Sequence, residues 1–320
     1  MDSVQNLKVA VLMGGVGGES TVSLRSGRAV ASGLARAGHQ VIPYEVKGRT
    51  LPGLAELGPD VVFVALHGPF GEDGTVQQVL EDMALPYTGS GPKASRFGMN
   101  KLASKRLFVR HSVPTADYFA VTPEQSVNSV LAQTEEFRYP VVCKPAASGS
   151  SLGVSIVKTR EAMPDALAGA RREGDLVLVE RYVRGRELTV GILEGQALPI
   201  IELVPRQDFF NYTAKYDDDQ TRYICPVALL PTIYRKASDA ALRAYQALGC
   251  RHMARVDMLY GYDGALSVLE INTIPGFTPR SLLPMAAEHA GVGFSELCDR
   301  VVRAAARDTA RELLQRRRSA

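Results

Sequence analysis

Residues 255–272 constrain this chain more than any other stretch. Arg255-Val256-Asp257-Met258-Leu259 alternates polar and apolar positions, and so does Leu266-Ser267-Val268-Leu269-Glu270-Ile271-Asn272, the pattern of half-buried strands. Asp263-Gly264 lies between them and suits the positive φ angles of a tight hairpin turn. A regular hairpin centred there sets Asp257 opposite Glu270 and Arg255 opposite Asn272, all on one face; a loop with an odd number of residues would break that opposition. Facing carboxylates stand about 5 Å apart across a ladder and repel each other. A cation between them turns the conflict into a binding site, and Asp, Glu and Asn oxygens suit Mg²⁺. The competing reading is a solvated strand face whose carboxylates pair with nearby arginines.

The rest of the chain supplies the setting. At 320 residues it is too long for one small core and calls for two or three domains. Residues 8–13 read as a buried strand, followed by Gly14-Gly15-Val16-Gly17-Gly18 and a helix over about 21–37. Strands at 40–46 and 61–66 and a helix at 75–83 follow. Strands alternating with helices imply a parallel sheet whose strand C-terminal ends carry the ligand loops. That unit closes near residue 100. A second begins with a helix at 99–110 and holds strand candidates at 140–144 and 176–180. After the first of these comes Lys144-Pro145-Ala146-Ala147-Ser148-Gly149-Ser150-Ser151-Leu152-Gly153, small residues whose backbone N–H groups can approach an anion. A third unit, from about residue 185, contains the hairpin and ends in helices including 295–314, with a polar, aromatic stretch at 205–221 that reads as a long functional loop.

Composition excludes several classes. A net charge of +3 implies no polyanionic partner, so no nucleic acid, and Arg316-Arg317-Arg318 reads as a solvated helix end. Cys143, Cys225, Cys250 and Cys298 are far apart, with no CxxC, which fits reduced thiols of a cytoplasmic protein. No run approaches the roughly 20 apolar residues of a membrane span, and no leader is evident. The glycines after the first strand fail the G-x-G-x-x-G spacing, with Ser20 where the third glycine belongs. They leave Glu19 at a helix N-terminus, where a plain helix charge and a substrate contact are both open readings. His67 ends a buried strand, a common place for a core histidine and also for an α/β site. Lys101 and Lys144 sit in apolar or helical contexts and hint at phosphate oxygens.

Taken together the residues resemble a family. Leu66-His67-Gly68 with Gly71-Glu72-Asp73-Gly74, Lys144-Pro145 with Gly149-Ser150-Ser151-Leu152-Gly153, Tyr212-x-x-Lys215-Tyr216, Arg255-x-Asp257 and Glu270-x-Asn272-Thr273-x-Pro275-Gly276-Phe277-Thr278 are similar, in order, to the motifs of D-alanine–D-alanine ligases. The likeness runs from about residue 7 to about residue 300. It implies an α/β (α+β) chain of three-domain ATP-grasp architecture: an N-terminal parallel α/β domain over 1–99, a central subdomain over 100–185, and a C-terminal subdomain with metal site and lid over 186–320.

The resemblance also implies chemistry. ATP would phosphorylate the carboxylate of one D-alanine, and the amine of a second would displace phosphate to form the dipeptide, a precursor of peptidoglycan. Asp257, Glu270 and Asn272 would hold two Mg²⁺ ions, with Mn²⁺ as a substitute. Lys101, Lys144 and Lys215 would contact the phosphates. Glu180, Arg181 and Val183 would line the adenine pocket, and Glu187 would meet the ribose. Glu19, steadied through Ser150 and Tyr216, would accept the first ammonium beside His67. Arg255 and the Gly276 N–H would stabilise the oxyanion, while Ser281 and Leu282 would hold the second carboxylate. The chain departs from common family usage at Gly17 and Ser20, where serine and a basic residue are frequent; Tyr216 favours D-alanine over D-lactate as acceptor. The alternatives are a D-alanine–D-lactate or other ATP-grasp carboxylate–amine ligase, and a non-catalytic nucleotide-binding protein, which would not need Arg255. Homodimers are common in the family.

Overall fold

The computed structural model describes residues 6–147, 149, 152–204 and 221–319. Ser150, Lys215 and Tyr216, and all of the expected lid loop but Thr221, therefore lie outside the described residues.

Alternating buried positions build the first layer. Strands β1 (Lys8–Gly14), β2 (Gln40–Val46) and β3 (Val61–Val64) form a parallel sheet in the order β2-β1-β3. Val9, Val11 and Met13 face one side, with Val30 and Leu34 of helix α1 (Ser20–Arg36). Ala10 and Leu12 face the other, with Val76 and Leu80 of α2 (Thr75–Asp82). Strand β3 stops short of residue 66 because, after Ala65 donates to the Leu12 carbonyl, the His67 N–H turns to the Ser23 hydroxyl.

The helix expected at 99–110 is α4 (Lys101–Arg110), preceded by a further helix, α3 (Pro92–Met99). Asn100 breaks them: its backbone is extended and its side chain caps the Ala103 N–H, as an N-cap Asn does. The second sheet, antiparallel in the order β4-β7-β5-β6, comprises β4 (Tyr118–Val121), β5 (Val141–Pro145), β6 (Ser155–Val157) and β7 (Val177–Arg181). Val141, Cys143, Val177 and Val179 pack under α5 (Val127–Glu135) and α6 (Met163–Arg172). The period of two then sends Val142, Lys144 and Glu180 to the opposite face, toward a cavity.

The third sheet runs β11-β10-β8-β12-β13, with the short β9 (Gln196–Ala197) beside β8. Its strands are β8 (Gly185–Leu193), β10 (Ile201–Val204), β11 (Arg222–Ile224), β12 (Met253–Gly261) and β13 (Leu266–Asn272). Helix α7 (Pro231–Leu248) and Phe108 of α4 cover one face through Val190, Val256, Met258, Val268 and Ile271. The other face meets the second sheet across the cavity. The chain then passes through α8 (Leu282–His289) and α9 (Phe294–Ser319), whose Leu297, Cys298, Val301 and Val302 close the first sheet's core beside Val9, Val61 and Phe63. Among the described residues no helix is long and apolar enough to cross a membrane.

Candidate active site

Asp257 does lie opposite Glu270, and Arg255 opposite Asn272, but the ladder that places them is not the regular one read from the sequence. The hairpin loop is Tyr262-Asp263-Gly264, closed by Gly261 N–H to the Ala265 carbonyl at 2.8 Å, with Gly264 at φ +84°. A three-residue loop with glycine in the left-handed position is a common hairpin closure. By itself it would set Asp257 opposite Leu269 and turn Glu270 into the core. A β-bulge between Asp257 and Met258 prevents this: Met258 pairs with Val268, so Leu269 is the extra residue. The bulge puts Leu266 and Val268 with the core, while Ser267, Leu269 and Glu270 all line the cavity.

Each facing carboxylate meets a cation. The Arg255 guanidinium donates to both oxygens of Asp257, at 2.8 and 2.7 Å, and Thr189 on β8 adds a third donor at 2.6 Å. Lys101 Nζ stands 3.1 Å from Glu270. Lys101 reaches across because its backbone N–H is bonded to the Ala146 carbonyl after β5, at 2.7 Å. The solvated-face reading thus holds a grain of truth, since arginine does pair with Asp257, although Asp257 is buried.

The opposite wall is drier. Glu180 on β7 places Oε1 2.8 Å from Lys144 Nζ and 3.2 Å from Lys105 Nζ, and all three residues are buried. Burial works against the Glu180 carboxylate, but the Lys144 and Lys105 ammonium groups outweigh it and hold its pKa below the ordinary range. Between the walls lies a cavity of about 1090 Å³. Of the residues expected at a nucleotide or metal, Lys101, Lys144, Glu180, Arg181, Val183, Glu187, Asp257 and Glu270 all line it. Asn272 is turned one step away, its Oδ1 accepting the Ile274 N–H at 3.0 Å. The Arg181 side chain leans outward, half-exposed, against Asp117 and the Phe137 ring.

A second cluster joins the first sheet to the segment after β13. Gly68, at φ +72°, leaves room for the Glu19 carboxylate, which a Cβ there would strike. Glu19 is the N-cap residue of α1. His67 Nε2 shares a hydrogen bond with Ser26 Oγ at 3.1 Å, and Ser26 also accepts the Phe277 N–H at 3.4 Å. His67 and Gly276, adjacent to Phe277, are brought together in this way. Ser281 is the N-cap residue of α8; its hydroxyl bonds the Thr278 hydroxyl and accepts the Thr278 N–H. Leu282 opens that helix, and its side chain packs on the core.

Sequence reasoning passes over Lys105, Thr189 and Ser26. Lys105 alone leaves a trace, a second lysine one helical turn after Lys101. The two serine and threonine hydroxyls acquire meaning only through distant partners.

Among the described residues no three His, Cys, Asp or Glu side chains gather around a metal position. The available set is two carboxylates facing across a ladder plus the Asn272 amide oxygen. That all-oxygen set, whose carboxylates already attract Arg255 and Lys101, fits a hard divalent cation.

Comparisons agree with this geometry. The family described as "D-ala D-ala ligase C-terminus" matches residues 107–303, and "D-ala D-ala ligase N-terminus" matches residues 53–90. A D-alanine–D-alanine ligase of Syntrophotalea carbinolica is 43% identical over 299 residues, covering 93% of this chain and 96% of that one. One from Geobacter sulfurreducens is 44% identical, covering 94% and 95%. A Bacillus anthracis D-alanine–D-alanine ligase complexed with ATP superposes with a TM-score of 0.84 at 31% identity, covering 96% of this chain and 99% of that one. The chain belongs to the D-alanine–D-alanine ligase family.

Proposed function

We propose that this protein joins two D-alanine molecules into D-alanyl-D-alanine at the expense of ATP, through an acyl phosphate, supplying peptidoglycan precursors. The observation that carries the reading is the cavity in which Lys101, Lys144 and Glu180 face Asp257 and Glu270 across two sheets. Phosphoryl transfer is mostly positioning and charge neutralisation, and this cavity offers cations for phosphate oxygens and carboxylates for a metal.

Lys101, Lys144 and Lys215 bind the phosphates; Glu180, Arg181 and Val183 line the base pocket; Glu187 takes the ribose hydroxyls. Asp257, Glu270 and Asn272 hold two Mg²⁺ ions, or Mn²⁺ in their place, which supply charge neutralisation at the transferring phosphate. Glu19, with Ser150 and Tyr216 behind it, receives the ammonium of the first D-alanine next to His67. Arg255 and the Gly276 N–H meet the oxyanion as the second amine attacks. Ser281 and the start of α8 take the second carboxylate, a natural ligand for helix N-terminal N–H groups. The three sheets support division into units of 1–99, 100–185 and 186–320, with α9 returning to the first. On this reading the protein works in the cytoplasm on small-molecule substrates, without nucleic acid or membrane.

The test is direct. Purified protein is expected to release ADP and phosphate only when D-alanine and Mg²⁺ are both present, with dipeptide formed in step. ATP turnover indifferent to D-alanine, without dipeptide, refutes the assignment. D-lactate as a competing acceptor in the same assay separates the depsipeptide alternative.

A further inference from the structure

Lys105 has no part in the reaction described above, yet none of its side-chain surface is exposed. Its ammonium lies 3.2 Å from Glu180 Oε1, donates to Thr115 Oγ1 at 2.6 Å and to the Ala116 carbonyl at 3.4 Å, and sits 5.3 Å from the centre of the Tyr118 ring. The chain of bonds continues. Thr115 Oγ1 donates to the Val268 carbonyl at 2.8 Å, Val268 N–H returns to the Pro114 carbonyl at 2.8 Å, and Ala116 N–H donates to Ser267 Oγ at 2.9 Å. Val268 is the residue before the bulge, and Glu270 is two residues on. One ammonium therefore touches the carboxylate of one cavity wall and, through a single hydroxyl, the strand that carries the metal-facing carboxylate of the other.

We propose that Lys105 is a positioning residue for the nucleotide: it fixes the Glu180 carboxylate and, through Thr115, sets the spacing between the β7 and β13 walls. The inference rests on reading the cavity as the ATP site. An unpaired buried ammonium is strongly disfavoured, and a methionine would fill the same space without that cost, so packing alone does not account for the charge. Charged groups bear on it from each neighbouring strand, Glu180 on β7, Lys144 on β5 and Asp117 just before β4, together with the neutral Tyr118 ring. Burial, opposed by Glu180 and reinforced by Lys144, pushes the Lys105 pKa down to about 8. The wall thus loses a charge in an accessible alkaline range.

Lys105→Met removes the charge at similar length. Titration calorimetry with Mg²⁺ and the ATP analogue AMP-PNP is expected to show a Kd about tenfold higher than wild type. The KM for ATP follows it, while kcat and the KM for D-alanine stay within about threefold. Wild-type affinity for AMP-PNP should also fall between about pH 7 and about pH 9 through a step that Lys105→Met lacks, beyond the analogue's own phosphate titration common to both. A purely structural lysine would lower thermal stability without splitting the two KM values and would leave the pH profiles parallel. Binding by Lys105→Met within about twofold of wild type, with parallel profiles, overturns the proposal. If that variant does not fold, Thr115→Val carries the test, because it leaves Lys105 and Glu180 paired while removing the hydroxyl that joins Lys105 to Val268. About threefold weaker AMP-PNP binding is expected, and unchanged binding overturns the proposal. Failure of the wild-type protein to bind AMP-PNP would instead remove the ATP reading beneath it.

Discussion

The two walls of the cavity hold their charges in different ways. On the β5–β7 wall, two lysines share one Glu180 oxygen, and Glu180 has 3% of its side-chain surface exposed. On the hairpin wall, Asp257 and Glu270 each have a cation of their own, and their side chains are 12% and 28% exposed. Removing one partner from a buried pair costs about 3–5 kcal/mol, whereas an exposed pair contributes about 0–1 kcal/mol. Burial therefore makes the first cluster a permanent fixture, holds Asp257 nearly as firmly, and leaves the Lys101–Glu270 pair as the exchangeable one. Lys101 holds, in charge, the place that the proposed divalent cation would take beside Glu270.

That contrast can be broken at its strongest point. Asp257→Asn keeps the shape of the hairpin and deletes the more enclosed of the two facing carboxylates; D-alanine-dependent ADP release should fall by about a thousandfold or more. Near-normal turnover would show that the hairpin wall does not hold the metal. The same chemical change on both walls sharpens the comparison further. Glu180→Gln should lose about 3 kcal/mol of stability in denaturant unfolding, whereas Glu270→Gln should lose less than about 1 kcal/mol. Glu270→Gln should instead raise the Mg²⁺ requirement about tenfold or more. Equal destabilisation by the two variants would erase the distinction between fixed and exchangeable charge.

Acid gives a third measure. Burial notwithstanding, Lys144 and Lys105 hold the Glu180 carboxyl below the ordinary glutamate pKa of about 4.5 in the folded protein. The unfolded chain then binds more protons than the fold as pH drops. The stability this carboxylate contributes is in place above pH 4.5 and is lost as pH falls through the lower folded value. Glu180→Gln should lack that part of the acid limb, which a melting series in pH reports. Coincident acid limbs would mean that the lysines do not hold the carboxylate charged. The smallest effect is expected from Lys101→Met. Without nucleotide, it should bind free Mn²⁺ a few-fold more tightly by paramagnetic resonance, since Glu270 loses its competing cation. Unchanged affinity would show that Lys101 is no placeholder.

The sequence revealed the hairpin residues well and their route poorly. Alternation and Asp263-Gly264 lead to Asp257 opposite Glu270, and that pairing is found, but by compensation: the three-residue loop shifts the register by one and the bulge shifts it back. The bulge was less visible, although Leu266 and Val268 share parity with Glu270 and Asn272, a phase break that strict alternation does not allow. The helix break at Asn100 was a matter of one capping side chain. The dry wall was half legible: Lys144 and Glu180 came with the family motifs, while Lys105 did not. Its partners Glu180 and Thr115 lie on other elements, and a contact between distant segments has no signature in either one. Ser26 escaped for the same reason, being joined to His67 and Phe277 only in three dimensions.

The bulge at Leu269 bears on how this hairpin can change length. It holds one residue more than an unbroken ladder between Asp257 and Glu270 requires. Loss of a single residue there can be absorbed by straightening the strand, leaving Glu270 still opposite Asp257 and on the same side of the sheet. Gain of a residue has no such reserve and must be taken up at the tip, beyond Gly261 and Ala265. Relatives one residue shorter in this stretch are therefore expected to keep both carboxylates face to face, and longer ones to differ at the turn.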